Sequence, residues 1–343
     1  MRQLIWLMVF ASAAVPALVV GACGGDDTSV PVQDASADQT TGDGGDPVAR
    51  GRYIVDTLAV CSDCHTPRNP DGSPNTAMYL AGNDCFIGSD KSNDAGGPGP
   101  GCLTTRNLTS DTTGLKNRTA QEIRDMFQNG KRTVGGVLYP VMPYWVYHNM
   151  TDSDADAVVA YLRTVPAVAH ESRPSQPPWD TPPAAPTSPI DMTTVPSPVK
   201  DGNPDYDSQM RGRYLAATAA ACIECHTPET GTPPEADRMK WFAGNRVWTS
   251  ADLGLPSAHF PAEIHSANLT PDPTGIAAYS VADIVKIIKQ GTDRDGGAVC
   301  PPMPVGHAAP YSNMTDEDAT DVAKYLLSLP KINSPRPDCV PTP

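Results

Sequence analysis

Cys61-Ser62-Asp63-Cys64-His65 sets two thiols three positions apart with an imidazole directly after the second, and the pattern returns as Cys222-Ile223-Glu224-Cys225-His226. On one helical turn such thiols can add to the two vinyl groups of a haem, and the histidine then turns its ring onto the iron as the proximal ligand. C-x-x-C pairs with histidines also build zinc sites. Here each copy is followed by Thr-Pro and preceded by Arg-Gly-Arg-Tyr, at 50–53 and 211–214. That duplication favours two covalently attached haem c groups over zinc or coincidence.

The second axial position decides what such an iron does. Methionine there raises the potential and suits electron transfer, whereas an open position binds or activates small molecules. Met142 lies 77 residues after His65, and Met303 lies 77 after His226. Each is followed by proline and preceded by a Gly-Gly turn, so the matched placement favours ligation over the usual role of methionine as core filler. Met150 and Met314 also correspond, but each precedes a helix cap and reads as packing. His148 and His307 lie nearby without being equivalent, and Cys300, a conceivable thiolate ligand, corresponds to Tyr139. The expectation is iron held by His65 and Met142, and by His226 and Met303.

The elements that position these residues form a repeat. Cys61 to Cys222, Asn107 to Asn268, Gly135 to Gly296 and Met142 to Met303 are all separated by 161 residues. The expected fold is all-α, with two tandem domains each built around one haem. A first helix, about 49–60 and 209–221, leads into each C-x-x-C-H motif. Later helices begin Thr119-Ala-Gln-Glu122, Ser280-Val-Ala-Asp283, Thr151-Asp-Ser-Asp154 and Thr315-Asp-Glu-Asp318. These read as capping boxes, in which a hydroxyl accepts from the third residue on and that residue's carboxylate reaches back. Ala155, Val158, Val159 and Leu162, with Ala319, Val322, Ala323 and Leu326, predict one buried face on each last helix. Gly51 and Gly212 offer a close crossing of first and last helices, beside Tyr161 and Tyr325.

Residues 1–22 read as a lipoprotein signal peptide, with Arg2, an apolar run from Leu4 to Val20, and Val20-Gly21-Ala22-Cys23 as a lipobox whose Cys23 becomes lipidated. That predicts an exported, periplasmic chain, lipid-anchored in a Gram-negative envelope, with Gly24 favouring the outer membrane. Residues 23–47 hold Asp26, Asp27, Asp34, Asp38, Asp43 and Asp46 and no Lys or Arg, a flexible acidic tether. The domains are expected at 48–170 and 207–343, joined through a proline-rich segment, 171–206, that reads as a semi-rigid spacer. Net charge is −14, from 25 Lys and Arg against 39 Asp and Glu, which disfavours nucleic acid and favours a partner with a basic patch. Cys85, Cys102, Cys300 and Cys339 remain; chain proximity favours pairs 85–102 and 300–339 among the three possible pairings, against the alternative of free buried thiols.

Each block resembles a class I cytochrome c domain of the kind found in the cytochrome subunits of membrane-bound bacterial alcohol and gluconate dehydrogenases. The resemblance rests on R-G-R-Y-I-V and C-S-D-C-H-T-P-R within 50–68, A-N-L-T-P-D-P-T-G-I at 267–276, P-P-M-P at 301–304, and the terminal D-E-D and Y-L-L-S-L-P within 316–330. It implies haem c with methionine as sixth ligand, and an electron carrier between redox-protein donor and acceptor rather than an enzyme. Those subunits usually carry three haems, and this chain has two motifs. A dihaem peroxidase, a thiosulfate-oxidising cytochrome or a haem-based sensor would each want an open axial site, against the symmetry of Met142 and Met303.

Overall fold

A computed structural model of the 343-residue chain describes residues 45–69, 73–88, 101–132, 135–232, 234–249, 263–300, 302–306 and 309–337. Residues 1–22, Cys23, His307, Cys339 and most of the tether lie outside the described residues, and Asp38–Pro343 forms one compact unit.

In the first repeat α1 (Pro47–Tyr53) starts with Asp46 accepting from Val48 N and proline in the first turn. It widens into a π-helical turn, Ile54–Leu58, before α2 (Cys61–His65). Val60 between them has φ 50°, a left-handed conformation disfavoured for a β-branched residue, and it redirects the chain so that the motif starts a new helix. Next come α3 (Ala120–Asn129), α4 (Tyr144–Tyr147) and α5 (Asp152–Thr164). The second repeat follows the same plan: α6 (Tyr206–Tyr214), a π-helical turn at Leu215–Ala219, Ala221 at φ 49°, α7 (Cys222–Cys225), α8 (Val281–Gln290), a 3₁₀ turn at Pro310–Asn313, and α9 (Asp316–Ser328).

The fold departs from the all-α expectation by two small antiparallel ribbons. Strands β1 (Glu229–Thr230) and β2 (Glu235–Ala236) pair, as do β3 (Val247–Thr249) and β4 (Glu263–His265). All four are two or three residues long and come from loop segments, too short for a period-two pattern to register in the sequence.

The first and last helices of each repeat touch at glycine. A Cβ on Gly51 would sit 1.9 Å from the Ala157 carbonyl oxygen and 2.8 Å from Tyr161 Cβ; on Gly212 it would sit 1.9 Å from that of Asp321 and 2.9 Å from Tyr325 Cβ. Only a residue lacking Cβ permits that approach. The expected faces of α5 and α9 are buried, and Met150 and Met314 sit in the core.

Full reciprocal capping boxes form at Thr119/Glu122 and Ser280/Asp283. At Thr151 and Thr315 only the hydroxyl half forms, accepting from Asp154 N and Asp318 N. The two carboxylates turn instead into the seam between the repeats. Asp154 accepts from Arg50 Nε and Nη2, each at 2.8 Å, and from Tyr214 Oη at 2.7 Å; Asp318 accepts from Tyr53 Oη at 2.7 Å. A buried carboxylate needs charged or hydrogen-bonding partners: for Asp154 its own repeat supplies Arg50 and the other supplies the Tyr214 hydroxyl, and Asp318 receives the Tyr53 hydroxyl of the other repeat.

The proline-rich segment is a strap rather than a spacer. Gln176 N donates to Cys102 O, Thr187 N to Tyr144 Oη and Ile190 N to Trp145 O, all on the first repeat. Further along, Pro196 O accepts from Arg213 Nε and Tyr325 Oη on the second repeat. Ile190 and Val195 are buried, so the strap adds apolar contacts as well as hydrogen bonds. A disulfide joins Cys85 and Cys102, and Cys300 is also disulfide-bonded.

Candidate haem site

One cavity of about 1860 Å³ runs through both repeats. It is roughly twice the ~1,000 Å³ upper end of an ordinary ligand pocket. Its wall includes Cys61, Cys64, His65 and Met142 from the first repeat and Cys222, Cys225, His226 and Met303 from the second. Apolar side chains complete it, among them Leu108, Leu115, Ile123 and Leu162, then Leu269, Ile276 and Ile287.

The two imidazoles are held alike. His65 Nδ1 lies 2.8 Å from Arg106 O, and His226 Nδ1 lies 2.8 Å from Ala267 O, the position 161 residues later. With Nδ1–H donating to a carbonyl, Nε2 carries the lone pair, the tautomer a metal-binding histidine needs. Burial lowers the pKa of both rings, which keeps them neutral. Behind each ring the backbone is clamped: Gly82 N donates to His65 O at 2.8 Å and Gly244 N to His226 O at 2.7 Å. At Gly244 φ is +67° and an added Cβ would come within 2.4 Å of the Ala267 carbonyl. The Ala-Gly-Asn turns and the residues before Asn-Leu-Thr thus support the ligand, a role the motif alone did not assign. The matching Ala-Gly-Asn triplets at 81–83 and 243–245 could have suggested it.

Burial pushes the thiols of Cys61, Cys64 and Cys222 up to about 12, and that of Cys225 well above its ordinary value. A thiol held neutral is a poor ligand for an ionic metal, which binds the thiolate. Among the described residues no group of three His, Cys, Asp or Glu side chains is placed to hold a metal ion.

Met142 and Met303 sit at the ends of matched loops. Leu138 N donates to Gly130 O and Val299 N to Gly291 O, closing the turns, and Tyr144 N and Val305 N then donate to the two methionine carbonyls. Both methionines are half-buried at the cavity wall. His148, by contrast, is exposed, with Nδ1 near Gln128 O and Asn129 Oδ1, and does not line the cavity. The disulfide at Cys300 removes it as a thiolate ligand.

The repeats differ in charge. Glu224 lies beside Cys225 and is paired with Arg246, whose Nη1 also donates to Glu224 O at 2.7 Å. In the first repeat the equivalent Asp63 is more open, 4.0 Å from Arg68, and Asp84, directly after the Ala-Gly-Asn turn, stands where the second repeat has Arg246.

Thiol pair, oriented imidazole, thioether-bearing loop and apolar cavity together fit a covalently bound haem. Residues 210–330 match the cytochrome c family, so the second repeat is a cytochrome c domain. The chain is similar to the fructose dehydrogenase cytochrome subunit of Gluconobacter japonicus, 29% identical over 293 residues, covering 82% of this chain and 52% of that one. It is similar to the cytochrome c subunit of the quinone alcohol dehydrogenase of Gluconacetobacter polyoxogenes, 32% identical over 240 residues, covering 68% and 49%. A diheme cytochrome c-type protein of Cereibacter sphaeroides is 24% identical over 266 residues, covering 70% and 79%. The chain spans about half the length of the dehydrogenase subunits it matches.

Proposed function

We propose that the chain is a dihaem c-type cytochrome made of two tandem class I cytochrome c domains, 48–170 and 207–343, which passes electrons and catalyses nothing itself. One haem is held by Cys61, Cys64 and His65, the other by Cys222, Cys225 and His226, with Met142 and Met303 as sixth ligands. The observation that carries the reading is that both full donor sets line one apolar cavity, each imidazole fixed by the same 2.8 Å bond to a backbone carbonyl. When bound, the haem supplies a one-electron Fe(III)/Fe(II) couple. The chain's residues hold it covalently, orient the imidazole, exclude water and offer thioether sulfur opposite.

The donor is a dehydrogenase or respiratory protein, as the names of the similar subunits suggest, and the acceptor another haem protein or an oxidase. Cys23 lipidation after removal of 1–22, with 23–47 as tether, would keep the protein at the periplasmic face of an envelope membrane, within reach of both. Haem quantitation with mass spectrometry of the exported protein tests the count: two haems per chain, and a mature N-terminus at acylated Cys23. One haem, or an unmodified N-terminus elsewhere, would overturn the corresponding part.

A further inference from the structure

We propose that Tyr147 and Tyr311 bridge the two haem sites, so that electrons pass directly between them inside one chain. The inference rests on the reading above that both motifs hold haem.

Each tyrosine is bonded to its own attachment segment and packed on the other repeat. Tyr147 Oη donates to Ala59 O at 3.1 Å, and Tyr311 Oη to Ala220 O at 2.8 Å; each carbonyl lies two residues before the first cysteine of its motif. The helix carrying Tyr147, α4, packs on the second repeat's π-helical turn, Leu215–Ala219. The turn carrying Tyr311 packs on the first repeat's, Ile54–Leu58. Both rings are only 5% exposed, and both line the shared cavity.

The cavity sets them beside both motifs: Cys61 and Cys64 of the first and Cys222 and Cys225 of the second line the same walls as the two rings. The thiol-bearing sides of the two sites therefore adjoin, with two aromatic rings in the gap. Electronic coupling decays steeply with distance and more slowly through packed atoms than across water, so this is the favourable route. In the step, one Fe(II) is oxidised to Fe(III) while the other Fe(III) is reduced. Both phenols stay protonated and closed-shell throughout, and no proton leaves.

The test uses the purified holoprotein with its haem content measured. After flash photoreduction of one haem, wild-type protein should equilibrate at a rate independent of protein concentration, and the oxidised protein should show mutually broadened electron paramagnetic resonance signals. Tyr147→Leu and Tyr311→Leu, which remove the ring, should slow equilibration on the order of tenfold, equivalent to about 1.4 kcal/mol of barrier. Tyr147→Phe and Tyr311→Phe, which keep it, should remain close to wild type, and optical spectra should stay low-spin throughout. Equilibration that scales with protein concentration overturns the proposal, as do leucine variants with two normal haems and unchanged rates. If the leucine variants do not load haem, the wild-type concentration series and its resonance line shapes still decide. A chain holding one haem would sink the dihaem reading itself, a result distinct from two haems without intramolecular exchange.

Discussion

Tyr53 donates a 2.7 Å hydrogen bond to Asp318 across the seam between the repeats, and its hydroxyl also accepts from Thr315 N at 3.1 Å. Tyr214 repeats the arrangement towards Asp154, at 2.7 Å, and Thr151 N, at 3.4 Å. Each repeat thus uses the tyrosine at the end of its first helix to satisfy a carboxylate at the start of the other's last helix. Two half-filled capping boxes become the lock that fixes one cofactor site against the other.

Removing either hydroxyl should therefore loosen the seam. Tyr53→Phe and Tyr214→Phe are each expected to cost about 1–3 kcal/mol, since a buried carboxylate loses a partner. Asp154→Ala also strips the bidentate partner from part-buried Arg50 and should cost more, about 3–5 kcal/mol. Denaturant unfolding of the holoprotein measures both, and an Asp154→Ala loss no larger than the Tyr→Phe losses would contradict the assignment of Arg50.

The helix crossings admit no side chain. Gly51→Ala and Gly212→Ala should each destabilise by about 3 kcal/mol or more, because the new methyl meets a backbone carbonyl that cannot rotate away. Thermal melts and haem yield report it; a wild-type melting temperature in either variant would refute the crossing.

Acid should weaken the fold through its caps. Hydrogen bonds from Thr119, backbone N–H first and hydroxyl second, hold the Glu122 carboxyl below its ordinary pKa, and Ser280 does the same for Asp283. Thr113 and Thr274 likewise lower Asp111 and Asp272. A carboxyl depressed in the folded state contributes stability that is complete above its unfolded pKa, about 4, and disappears as pH falls through the folded value. Stability should thus fall steadily with acidification below about pH 5. Glu122→Gln and Asp283→Asn should flatten that slope while lowering stability at neutral pH. A slope unchanged in the double variant would rule these groups out.

The charge difference between the repeats predicts unequal potentials. Arg246→Leu leaves the Glu224 carboxylate beside Cys225 without its cation, which favours Fe(III) and lowers the second haem's potential. The expected shift is on the order of 60 mV, one tenfold step in a one-electron equilibrium. Spectroelectrochemistry reads it, and the first haem should hardly move. An upward shift of the second would contradict the pairing.

What the sequence disclosed was mostly local. The caps at Thr119 and Ser280, the buried faces of α5 and α9, and the glycine crossings all follow from residue type and spacing over a few turns. The repeat itself located the matched cysteines, histidines and methionines. Asp154 and Asp318 misled because their deciding partners, Tyr214 and Tyr53, lie 60 and 265 residues away in the chain. The strap misled for another reason: ten prolines describe a stiff chain, but not the carbonyl at Pro196 or the N–H of Ile190 that tie it to both repeats. Tyr147 and Tyr311 were ordinary core aromatics until packing set them between the two motifs.

The most direct test of the account is the axial ligation itself. Oxidised holoprotein should show the weak far-red band of methionine–iron bonding at two haems, and reduced protein should bind carbon monoxide slowly at both. Met142→Ala and Met303→Ala should each remove about half of that band, open one haem to carbon monoxide and lower that haem's potential, leaving the other as it was. If either substitution leaves spectrum, carbon monoxide binding and potential unchanged, thioether sulfur does not cap that iron, and the closed electron carrier described here is wrong.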